Sequence, residues 1–311
     1  MEAQDNTKKC MICGEEITDG IFCYSCMRKN FINPYHYKPR PKFFGHAGMN
    51  GSRRAFGVEI EVIAKRNDDI RRNPDQTISY NAVSHETKLA QALTEKAFGD
   101  FAYLKSDGSL PMNGFEIVTH PATFRYLKSN RVFDVLRDLP VASFKHECTG
   151  IHIHVSRAKL SELQLCKLVY FYSKPENAEY LVRVAQRDWR SNSYCRPMQK
   201  GKMKYYAKAT EANGMANHYE RYHALNLTNE ATVEFRMFKG NVKPEAIYRA
   251  IQFVDAMIEF TAHSPATKLG HEDFIAFVEK NHNRFNLLAS WNVNWKTAKL
   301  YNEVGSERRN A

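Results

Sequence analysis

The stretch FGVEIEV, residues 56–62, sets two glutamates in alternation with aliphatic residues just after a basic, glycine-containing segment. Residues two apart in a strand share a face, so Glu59 and Glu61 point one way and Val58, Ile60 and Val62 the other. Two further stretches repeat the plan. GIHIHVS (150–156) places His152 and His154 opposite Ile151, Ile153 and Val155, and TVEFRMF (232–238) places Glu234 and Arg236 opposite Val233, Phe235 and Met237. Each strand has an apolar face for a core and a face of ionisable groups for something else. If the three belong to one curved sheet, its concave side gathers carboxylates, imidazoles and a guanidinium. Such carboxylates repel one another unless cations are present, and oxygen ligands with an imidazole suit Mg²⁺ or Mn²⁺ better than Zn²⁺. Asp107 in KSDGSL and Glu116 in GFEIVTH are further candidates.

Around these strands the periodicity predicts helices. ETKLAQALTEKAF (86–98) carries Leu89, Leu93 and Phe98 at helix-like spacing, and a hairpin follows from 101–107 and 114–120. Pro121 predicts the start of a helix of about 17 residues. Helices are also expected at 160–172, 175–187, 244–263, with its apolar stripe Ile247, Ile251, Val254, Met257 and Ile258, and around 271–282. Widely separated strands with helices between them indicate an α+β fold. No strand is a continuous aliphatic run and no Gly-rich phosphate loop follows one, which argues against a doubly wound parallel sheet.

The first thirty residues differ from the rest. Cys10-x2-Cys13 and Cys23-x2-Cys26, nine residues apart, can place four thiolates around one Zn²⁺, with Gly14 and Gly20 at the turns. Two disulfides are the alternative, and the missing secretory signal favours zinc. Residues 33–54, with Pro34, Pro39 and Pro41 and no helical periodicity, read as an extended linker. The expected division is a zinc ribbon (1–30), a basic extended linker (31–54) and one main domain (55–311). Cys148, Cys166 and Cys195 lack partners at ligand spacing and read as ordinary thiols; His120 and His146 read as local structure, and Trp189, Trp291 and Trp295 as packing.

With 311 residues, 43% of them hydrophobic, the chain can bury a large core. No apolar leader and no run of about 18 apolar residues is seen, so neither export nor membrane insertion is expected and the cytoplasm is the expected location. The net charge of +11 is concentrated: Met27–Val58 and Leu181–Thr210 carry +7 each, leaving the remainder slightly acidic. Patches of this kind favour anionic partners such as nucleotide phosphates, carboxylates or a nucleic acid.

Taken in order, GVEIE, KSDGSL with GFEIVTHPAT, TGIHIHVS, and RYHALNL followed by TVEFRMF resemble the amidoligases of the glutamine synthetase and glutamate-cysteine ligase superfamily, especially members found in bacteriophages. The resemblance covers roughly 33–260 and leaves the ribbon outside. It implies a curved antiparallel sheet forming a funnel, flanked by helices, with ATP and divalent metals (Mg²⁺ or Mn²⁺) at its centre, and ATP-dependent joining of a carboxylate to an amine. For a phage protein the location would be the host cytoplasm. Carried over, Glu59, Glu61, Glu116, His152 and Glu234 become metal ligands; His154 and Ser156 face the nucleotide; Arg236 and Arg221 match arginines aimed at phosphate or the transferred group. Arg196 and Lys200 are phosphate-binding candidates on charge alone. Asp107 is a candidate base for the amine, or a loop cap. Two other classes stand beside this one. A Zn²⁺ hydrolase could use an HIH pair but needs βα repetition. A non-catalytic nucleic-acid-binding protein would use the ribbon, the basic linker and the KMKYYAK stretch (202–208), but leaves the acidic pair unexplained. The two functions combine if ribbon and basic patches bring a ligase to an anionic macromolecule.

Overall fold

A computed structural model of the chain describes residues 8–45, 54–65, 84–158, 160–188, 195–202 and 221–298. Arg53, Trp189, Arg190, Lys204, Lys208 and most of KMKYYAK lie outside the described residues. The alternation predicted from residue 56 becomes the centre of an eight-stranded sheet. Two short strands, β1 (Lys8–Lys9) and β2 (Glu16–Ile17), belong to the cysteine-rich segment; the main sheet contains β3 (Ala55–Ala64), β4 (Ala102–Lys105), β5 (Gly114–Thr119), β6 (Ala122–Thr123), β7 (Val141–Ala142), β8 (Gly150–Ser156), β9 (Leu225–Asn226) and β10 (Thr232–Lys239). Its order is β4-β5-β3-β8-β10-β9, with β6 and β7 also on β3. Every pairing between these strands is antiparallel. The sheet is open, not closed into a barrel, and it offers no βα repetition for a barrel hydrolase.

One face is dry. Phe56, Val58, Ile60, Val62, Phe115, Ile117, Ile151, Ile153, Val155, Val233 and Phe235 join one buried cluster. Helices cover it: α2 (His85–Phe98), α3 (Phe124–Ser129), α4 (Glu162–Ser173), α5 (Pro175–Ala185), α6 (Pro244–His263), α7 (His271–Lys280) and α8 (Asn286–Asn292), α1 (Tyr24–Arg28) being in the cysteine-rich segment. The predicted stripe Ile247, Ile251, Val254, Met257 and Ile258 of α6 is wholly buried there. The mixed α+β class and the large antiparallel sheet flanked by helices are therefore as expected.

Two local readings are corrected, and α2, a helix as expected over 86–98, buries more than its apolar positions. The helix predicted after Pro121 is broken: Pro121 leads into β6, Thr123 caps α3 through its hydroxyl, and Arg131 at φ 49° stops the helix before a 3-10 turn at Asp134–Arg137. In α2 the buried positions are Thr87, Ala90, Gln91, Ala92, Thr94 and Phe98, while Leu89 packs against the cysteine-rich segment. The segment read as a linker is extended over residues 31–45 but bound: Asn33 N–H donates to Leu104 O (2.9 Å), Ser106 N–H donates to Asn33 O (2.9 Å) and Phe44 bridges Ala122. Among the described residues no helix is long and apolar enough to cross a membrane.

Candidate active site

The polar face carries one row of side chains across the sheet because the register aligns them. Lys105 on β4 lies opposite Glu116 on β5, Glu116 opposite Glu61, Glu59 opposite His152, and His154 opposite Glu234, itself opposite Asn226. Distances are short. His152 Nδ1 is 3.1 Å from Glu59 and 3.6 Å from Glu234, its Nε2 is 3.8 Å from Glu61, and His154 Nε2 is 3.2 Å from Glu59. Arg236 pairs with Glu234, whose second oxygen accepts from Asn226 Nδ2 at 2.7 Å. A register shift between Phe235 and Phe238 lets Arg236 stay on the polar side while Met237 and Phe238 both enter the core.

Burial would hold these carboxylates neutral, so the neighbours decide their state. Against burial, His154 and His152 hold Glu59 well below the usual carboxylate range. Arg236 and His154 do the same, more weakly, for Glu234. Burial, reinforced by the negative charge of Glu59, pushes Glu116 well above that range. His154 is raised, because Glu59 and Glu234 outweigh its own burial. Glu116 Oε2 is buried with the Lys105 ammonium 3.3 Å away, yet accepts no hydrogen bond among the described residues. A buried carboxylate oxygen so placed has capacity left for a ligand.

Among the described residues of the sheet, three sets bring ligand atoms within 4.8 Å of one another: Glu59, Glu116 and His152; Glu59, His154 and Glu234; Glu61, Asp107 and Glu116. Carboxylates with one imidazole fit Mg²⁺ or Mn²⁺. His154, expected on the nucleotide side, is thus inside the ligand group. Asp107 caps its loop, one oxygen accepting from Ser109 N–H (2.7 Å) and Ser109 O–H (2.6 Å), and the residue also comes together with Glu61 and Glu116. Ser156 is exposed at the end of β8, opposite Thr232. Arg221 Nη2 donates to Tyr35 Oη at 2.6 Å, and Arg196 pairs through its backbone with His223. Lys200 is not brought to the row; its ammonium lies over the ring of Tyr170 in α4. His120 is a local structural residue, ringed by Phe44 and Tyr103.

Sequence reasoning missed Lys105, Tyr103, Asn226 and Gly150. Tyr103 and Lys105 alternate in β4 and run on toward Asp107, so extending the hairpin register back from Glu116 would have found them. Tyr103, half-buried near Glu59 and Glu116, has its phenol pushed up to about 12 by burial and then by those charges. Gly150 donates its N–H to Glu61, and a Cβ there would stand 3.2 Å from His152 Nε2 and 3.3 Å from Glu61 Oε2.

At the N-terminal end Cys10, Cys13, Cys23 and Cys26 have their sulfurs within 4.8 Å of one another, and none forms a disulfide. Gly14 (φ 78°) and Gly20 (φ 80°) make the turns in left-handed backbone. The cluster fits a small zinc site.

The site is thus one face of an open antiparallel sheet, with acidic residues and imidazoles on that face and helices on the other. The family described as "Putative amidoligase enzyme" matches residues 52–258, and the chain belongs to this family. Among solved structures it is similar to a novel glutamine synthase homolog, at 12% identity and a TM-score of 0.35 over 81% of this chain and 66% of that one. It is also similar to the complex between the prokaryotic ubiquitin-like protein Pup and its ligase PafA, at 8% identity and a TM-score of 0.36 over 79% of this chain and 64% of that one. The chain therefore spans just under two thirds of the length of those proteins. No curated protein matches it.

Proposed function

We propose that the chain is an ATP-dependent carboxylate-amine ligase working through an acyl phosphate. The observation that carries this reading is the single row in which Glu59, Glu61, Glu116, His152, His154 and Glu234, from four strands, form overlapping sets whose ligand atoms lie within 4.8 Å of one another. Mg²⁺ or Mn²⁺, when bound there, would neutralise the negative charge that grows on nucleotide phosphates during phosphoryl transfer. Glu59, Glu61, Glu116, His152 and Glu234 would be its ligands, with His154 beside them. We assign Arg236, held by Glu234, to steady the transferring phosphoryl group, and Arg221, bonded to Tyr35, to the same charge. A substrate carboxylate takes the terminal phosphoryl group of ATP, releasing ADP; the amine attacks the acyl carbon, loses a proton and expels phosphate. No protein nucleophile is needed. Asp107 is the residue we assign to accept the amine proton, through the oxygen that Ser109 leaves open.

We also assign residues 1–30 to a ribbon that binds structural Zn²⁺ through Cys10, Cys13, Cys23 and Cys26, and the sheet and its helices to the ligase domain. The test is incubation with ATP, Mg²⁺ and pooled amino acids, polyamines and cell extract, comparing the protein with its Glu59→Gln variant. The expected result is a product whose mass equals acid plus amine minus water, formed by the parent protein and lost in the variant. ATP turnover insensitive to Glu59→Gln would remove the reading.

A further inference from the structure

The segment 31–45 carries a surface that the ligase reading does not use. Between Asn33 and Phe44 it holds Tyr35, Tyr37 and Phe43 together with Lys38, Arg40 and Lys42, and no acidic residue. The three rings are 47%, 38% and 44% exposed, although aromatic side chains of this size ordinarily supply buried area. Phe43 has no ring neighbour among the described residues. Lys38 and Arg40 are exposed, with no carboxylate at ion-pair distance among the described residues. Lys42 lies 3.2 Å from Asp100, an exposed pair that another anion can displace at little cost.

The segment is held in place before any partner arrives. Asn33 N–H donates to Leu104 O, Tyr37 meets Tyr103 edge to face at 5.4 Å, and Phe44 packs against Phe101 and Tyr126 at 5.1 and 5.4 Å. A surface already ordered loses less entropy on binding. Pro39 and Pro41 keep the backbone between them extended, so the three basic residues follow one another at about 6–7 Å. Phosphates along an extended single strand recur at much the same interval. An acidic peptide would match the charge but could not add as a strand, because Pro39 and Pro41 have no N–H, Tyr37 donates to Pro34 O and Lys42 N–H to His120 Nδ1. Exposed rings beside cations suit bases instead, which a single strand leaves open for stacking and a duplex hides. We propose that residues 35–43 are a docking strap for single-stranded nucleic acid, with Lys38, Arg40 and Lys42 on successive phosphates and Phe43 and Tyr37 against the bases. This does not depend on the ligase reading.

The experiment is fluorescence anisotropy of a labelled oligothymidylate titrated with the zinc-loaded full chain at several salt concentrations. Three phosphate contacts predict a slope of log K against log salt of about −2, falling to about −0.7 in the double variant Lys38→Gln/Arg40→Gln, which is expected to bind at least about ten-fold more weakly at low salt. Phe43→Ala is expected to cost at least about five-fold, the loss of one stacked base. The control Lys268→Gln/Lys280→Gln removes the same charge from exposed positions before and at the end of α7, and is expected to bind as the parent does. Circular dichroism checks that each variant is folded. Absence of binding by the parent, an equal loss in the control, or parent-like binding by Phe43→Ala would each overturn the proposal. Polyglutamate bound as tightly as the oligonucleotide, and equally by Phe43→Ala, would overturn it in favour of an acidic polypeptide.

Discussion

Glu59 shows how much a single residue depends on its surroundings. A carboxyl this deep would ordinarily be driven neutral, and only the imidazoles at 3.1 and 3.2 Å keep it charged. Gly150 matters for a different reason, the absence of a side chain. Gly150→Ala puts a methyl group against His152 and Glu61, and Mn²⁺ affinity is expected to fall roughly ten- to hundred-fold with circular dichroism unchanged, since displaced supporting contacts cost about that much in metal sites. On the dry side of the same strand Ile153 is completely buried, and Ile153→Ala is expected to destabilise by about 2–5 kcal/mol in a urea titration. At this scale the sequence was readable. Alternation alone put Glu59, Glu61, His152, His154 and Glu234 on polar faces and Ile153 in the core.

Elements are held by caps and ion pairs whose partners lie far away in sequence. Ser161 caps α4 by accepting from Gln164 N–H, and Ser161→Ala is expected to cost about 1 kcal/mol in chemical denaturation. Arg54, at the entry to β3, reaches Asp255 and Glu259 on α6, and Arg284 reaches the same two acids. Burial acts to raise Glu259, but the two arginines leave it below its ordinary value. A depressed carboxyl contributes stability above its unfolded pKa and loses it as pH falls through the folded one. The acid limb of a pH–melting-temperature curve is therefore expected to be shallower in Arg54→Ala than in the parent, most visibly below about pH 4.5; identical curves would show that the network adds nothing. Helix ends were less legible than helix faces. Pro121 promised a helix, and the cap formed two residues later at Thr123 because the chain first pairs with β3.

In the whole molecule the cysteine-rich segment is fastened to the main body through α2: Leu89 packs on its cluster, Phe22 meets His85 edge to face, and Lys29 pairs with Glu95 at 2.7 Å. So small a unit has little core of its own, and a metal would supply much of its folding energy. A zinc-selective chelator is expected to raise hydrogen exchange in residues 8–32 and on the exposed side of α2, while β3, β8 and β10 stay protected; loss of protection in the central strands would refute this separation. Beyond the ribbon, residues 31–45 are anchored to β4 through Asn33 and to β6 through Phe44, and bring Tyr35 next to Lys105 and Arg221.

By itself the sequence determined the alternation of core and polar residues along β3, β8 and the first half of β10, where the long α6 helix begins and ends, and which four cysteines belong together. These are local properties, set by side-chain period, proline and cysteine spacing. Only the tertiary structure decided that β3 lies between β5 and β8, that Glu61 meets Glu116 and Glu59 meets His152, and that Lys105 pairs with Glu116. Strand order and register between segments up to about a hundred residues apart come from packing the apolar faces against shared helices, and no local pattern encodes that competition.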